Sequence, residues 1–145
     1  MKLPSFEPFV PKGSDFKRSQ RFFQGLGFTI TWDVIDYVGF DRDGCSFILQ
    51  NYDHKEFAEQ LMIRVKIESA DNFWNSAADK NLVETYGVKV SKPSIQPYGI
   101  MITITDMAGV CWYFVEENNL PRSALTFCYP HFIVKAERIA TVPDL

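Results

Sequence analysis

Basic residues form no cluster in this chain. Its 15 lysines and arginines are outnumbered by 18 aspartates and glutamates, leaving a formal charge of −3. That balance argues against nucleic-acid binding through phosphate contacts. Cysteine is scarce: Cys45, Cys111 and Cys128 are an odd set without metal-ligand spacing, which fits buried thiols in a reducing compartment. The two histidines, His54 in a polar connector and His131 near the C-terminus, read as solvated side chains. The sequence has no GxSxG, HExxH or CxxC motif and no glycine-rich phosphate cradle. No apolar run reaches membrane-span length, and the opening MKLPSFEPF is too polar for a signal peptide, so a cytoplasmic protein is expected.

Aromatic residues, by contrast, are abundant. They make up 15% of the 145 residues, with 13 phenylalanines and 3 tryptophans. A domain of this length buries a real core. A surplus of rings implies either a cavity lined by aromatics or a core filled by them.

The most regular stretch runs from Pro97 to Glu117. Ile100, Ile102 and Ile104 alternate with Met101, Thr103 and Thr105, the two-residue period of a strand with two different faces. Asp106-Met107-Ala108-Gly109 reads as a turn in which the aspartate accepts local backbone hydrogen bonds. In the strand that follows, Cys111, Tyr113 and Val115 share one face, and Trp112, Phe114 and Glu116 the other.

Earlier elements follow by the same logic. Residues 5–10 predict a short edge strand limited by Pro8. Ser14 or Asp15 caps a helix that buries Phe16, Phe22, Phe23 and Leu26 and stops at Gly25 and Gly27. Three strands follow, FTITWD, DYVGFD and CSFILQN, with an Asp43-Gly44 hairpin between the last two. Residues 52–58 are polar and predict a connector. A strand through Leu61–Ile67, a helix capped by Ser69 and ended by Gly87, the strand VKVSK and the closing hairpin complete the series. The order β-α-β-β-β therefore occurs twice, in about residues 5–51 and 59–117.

Two of these pieces resemble the vicinal oxygen chelate superfamily, and within it the glyoxalase/bleomycin-resistance proteins. One is a Tyr-Gly pair, a strand, Asp-x-x-Gly and a strand ending in an acidic run. The other is the first helix, where Asp15, Phe22, Phe23, Leu26, Gly27 and Phe28 match in spacing. The resemblance implies an α+β fold in which two β-α-β-β-β modules form curled mixed sheets around a cavity. It covers about residues 5–117, within a single domain over 1–118, and leaves 119–145 as a C-terminal extension of unassigned role.

Enzymes of the superfamily hold a divalent metal with His, Glu or Gln from the first and last strands of each module. Here the matching positions fall on Glu7 or Pro8, on Phe47 with Leu49 beside it, on Met62 or Leu61, and on Tyr113. Such a set does not suit a hard divalent metal. The expectation is therefore no metal, no cofactor and no catalytic residue. The implied protein is a non-catalytic homodimer that sequesters an aromatic or cationic small molecule in an apolar hollow. Its expected lining is Phe47, Leu49, Met62, Cys111 and Tyr113, with Trp32 and Tyr98 at the rim and Arg64 or Tyr113 fixing orientation. Arg64 otherwise pairs with a nearby carboxylate, and Lys66 is expected to face outward. The alternatives are a metal-dependent lyase, isomerase or dioxygenase of the same superfamily, or an interaction module with a filled core.

Overall fold

The structure, a computed structural model, describes residues 1–79 and 81–118. The extension 119–145, with Cys128 and His131, lies outside the described residues. The first module comprises β1 (Phe9–Pro11), α1 (Phe16–Gly25), β2 (Thr29–Val34), β3 (Tyr37–Arg42) and β4 (Cys45–Gln50). A short helix, α2 (Lys55–Gln60), leads into β5 (Met62–Lys66), α3 (Ala70–Asp79), α4 (Leu82–Tyr86), β6 (Lys89–Val90), β7 (Ser94–Gln96), β8 (Gly99–Thr105) and β9 (Cys111–Glu117).

The strand orders repeat. The first sheet runs β1-β4-β3-β2, with β1 parallel to β4. The second runs β5-β9-β8-β6, with β5 parallel to β9 and β7 also paired to β8. This mixed α+β arrangement of two equivalent sheets is the architecture that the doubled β-α-β-β-β pattern implied.

Local chemistry sets the boundaries. Asp15 caps α1, its carboxylate accepting the Arg18 backbone N–H at 2.9 Å. The β3–β4 hairpin turns through Asp43 and Gly44, both with positive φ, as a two-residue primed turn requires. Between β8 and β9, one Asp106 carboxylate oxygen accepts the backbone N–H groups of Ala108, Gly109 and Val110 at 2.9–3.1 Å. Its other oxygen accepts the Trp112 indole N–H at 2.9 Å.

Three expectations on elements need correction. The polar stretch 52–58 contains most of α2, started by His54, whose Nδ1 accepts the Phe57 N–H at 3.2 Å. The helix expected after Ser69 is two helices, because Asn81 adopts a left-handed conformation between them. The first strand begins later than expected, at Phe9.

Both modules contribute to one core. Phe23 of α1 packs on Phe40 and Phe47 of the first sheet, and Phe73 of α3 stacks on Phe114 of the second at 4.2 Å. Trp112 joins the two, its ring 5.3 Å from Phe23 and 5.2 Å from Phe47. Each sheet thus has a helix-covered face buried in the shared core and an opposite, open face.

Candidate functional site

The open faces follow from strand alternation and register. In the first sheet, Val38, Phe40, Phe47 and Leu49 pair across β3 and β4 on the buried side, so Gly39 and Ile48 point the other way. Phe9 on β1 pairs with Ile48. Trp32 on β2 pairs with Gly39, beside a register shift between Ile30 and Trp32. The open face therefore carries Phe9, Trp32, Val34, Tyr37, Ile48 and Gln50. Phe9 and Val34 are each 54% exposed and Trp32 is 39% exposed. The Phe9 and Tyr37 rings meet edge to face at 5.9 Å.

This register corrects the site expected from the sequence. Phe47 and Leu49 lie on the helix-covered side, 3% and 0% exposed, and Phe47 touches Phe23, Phe28, Phe40 and Trp112. Neither can line a hollow on the open face. The side chains that take that place on β4 are Ile48 and Gln50. The signal was available: the Asp43-Gly44 turn pairs Arg42 with Cys45, which sets Phe40 opposite Phe47 and Val38 opposite Leu49 on the core side.

In the second sheet the expected face is the open one. Met62, Arg64 and Lys66 on β5 pair with Cys111, Tyr113 and Val115 on β9, which pair in turn with Thr105, Thr103 and Met101 on β8. Met62 is 68% exposed. The Tyr113 hydroxyl lies 3.8 Å from the Met62 sulfur, and the Tyr98 hydroxyl 3.3 Å from the Met101 sulfur. The Arg64 guanidinium lies over the Tyr98 ring, 6.0 Å from its centroid. Trp32 and the second-sheet residues occupy open faces of different sheets, so the structure does not bring the eight expected residues together.

Charge on this second face is organised around Glu117. One of its oxygens takes Arg64 at 2.7 Å and the other takes Lys66 at 2.9 Å. The carbon stems of both cations climb the sheet to reach it. Lys66 faces outward, as expected, with its side chain 69% exposed, and shares the face of Arg64. Glu116, its neighbour, points to the opposite side and accepts the Ala70 N–H at the start of α3 at 2.7 Å.

Protonation follows the surroundings. Lys66 and Arg64 hold the Glu117 carboxyl down at about 2. The Cys111 side chain, through a hydrogen bond, and burial push the Tyr113 phenol up to about 12. Burial raises the Tyr98 phenol, with Arg64 opposing. Both phenols are therefore neutral donors at neutral pH.

On the open faces, the first and last strands of the two modules supply Phe9, Ile48, Met62, Cys111 and Tyr113, with Gln50 at one end of β4 and Glu117, already bonded to Arg64 and Lys66, at the end of β9. Among the described residues, no three of His, Cys, Asp and Glu converge. Carbon, one thioether, one thiol, a protonated phenol, an amide on the other sheet and a carboxylate whose two oxygens are taken by cations do not fit a hard divalent ion that needs an open position for substrate. Of the thiols, Cys45 is exposed rather than buried, and Cys111 is half-buried.

A cleft of about 590 Å³ lies elsewhere, between the β3–β4 turn and the β5–α3 connection. Phe28, Arg42, Cys45, Ser69, Asn72 and Phe73 are among its walls. Among the described residues, no helix is long and apolar enough to cross a membrane.

This is the glyoxalase/bleomycin-resistance fold. The chain is similar to the bleomycin-binding protein of Streptomyces verticillus complexed with copper(II)-bleomycin, with a TM-score of 0.67 and 17% identity over 81% of this chain and 99% of that one. It is similar to the bleomycin resistance determinant encoded on transposon Tn5, with a TM-score of 0.67 and 16% identity over 81% and 100%. It is also similar to the fosfomycin resistance protein FosX of Listeria monocytogenes complexed with manganese(II) and sulfate, with a TM-score of 0.64 and 13% identity over 89% and 99%. No family profile and no curated protein matches the sequence.

Proposed function

We propose that this chain is a non-catalytic binding protein for an aromatic small molecule, of the antibiotic-sequestering kind. The carrying observation is the character of the open faces. They present large apolar side chains to solvent, Phe9, Trp32, Val34 and Met62 among them, and among the described residues no three metal-ligating side chains converge on them. Such faces gain by covering apolar area, at about 25 cal/mol per Å² removed from water. Rings such as Trp32 and Tyr98 suit stacking on a planar guest.

The working form in this reading is a cytoplasmic homodimer. A monomer seldom leaves two apolar sheet faces uncovered, and a second copy set against them encloses a groove. Residues 1–118 form the binding domain, with Trp32, Met62, Arg64, Tyr98, Cys111 and Tyr113 lining the groove beside Ile48. Residues 119–145 are an extension to it.

Titration with bleomycin and a panel of planar antibiotics, followed by tryptophan emission, tests the reading. Saturable quenching that is lost in Trp32→Ala supports it, and a folded protein that responds to none of the panel overturns it. Elemental analysis of untagged protein separates it from the metal-dependent alternative, since a stoichiometric divalent metal favours an enzyme. Sedimentation tests the dimer.

A further inference from the structure

We propose that the guest carries an anionic group, and that the Glu117 carboxylate occupies the position between Arg64 and Lys66 that the guest's own carboxylate would take. This deepens the reading above and rests on it. The chain as a whole is negative, at −3. That favours a cation only at long range, and screening confines such effects to about 8 Å at physiological salt. Close to the second sheet's open face the sign reverses. Arg64 and Lys66 stand on β5, and Lys89 on β6 shares their face through its pairing with Thr105. Glu117 is the one carboxylate that the described strands of this sheet set on this face, and it bridges Arg64 and Lys66.

The neutral groups around them are also suited to an oxyanion. The Tyr113 hydroxyl has sulfur neighbours, Met62 Sδ at 3.8 Å and the Cys111 side chain. Sulfur is a weak acceptor, and a carboxylate oxygen is a much stronger one. Arg64 lies over the Tyr98 ring at 6.0 Å, so a cation and an aromatic plane adjoin. An aromatic acid offers both matching parts: a ring for Tyr98 and a carboxylate for Arg64 and Lys66. Glu117, at the end of β9 and bonded through both oxygens, already shows that a carboxylate can bridge the two cations.

The test uses the full chain and a matched series: 2-naphthoate, 2-naphthamide and 2-naphthylmethylammonium, titrated calorimetrically near neutral pH at low salt. Naphthoate should bind about tenfold more tightly than the amide, and the ammonium most weakly. Glu117→Gln should tighten naphthoate severalfold and leave the amide unchanged, and Arg64→Gln should erase the acid's advantage. Lys66→Gln is the second variant should Arg64→Gln not fold, and circular dichroism checks each. Equal or tighter binding of the ammonium overturns the proposal and leaves the binding reading standing. So does an acid-to-amide ratio that Glu117→Gln does not change. If the folded protein binds none of the three, and no planar antibiotic either, both fail together.

Discussion

The Trp32 indole lies on the backbone of Gly39, in the space that a side chain at position 39 would fill. A β-carbon there would sit inside the indole and against the Thr31 hydroxyl. The pairing holds the indole over the Gly39 backbone on the open face of the first sheet.

Gly39→Ala should therefore lift Trp32 away from the sheet. Because the ring is 39% exposed it can swing outward, so the cost to stability should be small, about 1 kcal/mol. The effect on tryptophan emission should be large, with a shift toward the red, and quenching by a planar guest should weaken. An unchanged spectrum with unchanged quenching would remove Trp32 from the site.

The corrected register of β4 makes a second comparison. Phe47→Ala should cost about 3–5 kcal/mol in urea unfolding, since it empties a ring from the shared core. Ile48→Ala, on the open face, should cost about 1 kcal/mol and affect binding instead. The reverse order would restore the original assignment of faces.

Asp106 sets a pH dependence. Burial pushes its carboxyl up from 3.8 to about 6, against the Trp112 indole and the three turn N–H groups. Between those values the folded chain retains a proton that the unfolded chain has lost. Stability from this group therefore falls as pH rises from about 4 to about 6, by up to about 3 kcal/mol. The gap in stability between wild type and Asp106→Asn, measured across that range, should drift against the wild type as pH increases.

Glu117 works in the other direction. Its pairing with Lys66 and Arg64 is fully expressed above 4.5 and is lost as pH falls toward about 2. Carboxyl NMR should find it ionised at pH values where ordinary glutamates are protonated. Glu117→Gln should leave stability at neutral pH nearly unchanged, as for an exposed pair.

Much of this could be read in advance where one residue type has one physical use. Asp43-Gly44 and Asp106 to Gly109 were legible as turns because few other residues accept positive φ or supply a carboxylate to bare N–H groups. The second sheet's faces were legible because threonine and isoleucine alternate cleanly along β8. On β4 the run Phe47-Ile48-Leu49 is apolar on both sides, so alternation gave no direction, and only the hairpin pairing resolves it. Helix α2 was missed because six residues with one buried alanine carry no period. The bridge from Arg64 to Glu117 spans 53 positions, and strand pairing alone brings its ends together.

Trp112 belongs to the second module by sequence and by its bond to Asp106, while its ring packs on Phe23 and Phe47 of the first. A duplicated architecture suggests pieces that could once have stood alone, yet this indole ties them into a single cooperative unit. Severed in the 51–61 joint, each fragment would present an oily wall with no mate. The two fragments mixed together should recover a native-like fold that neither attains separately, which makes the joint a natural place to build a split reporter.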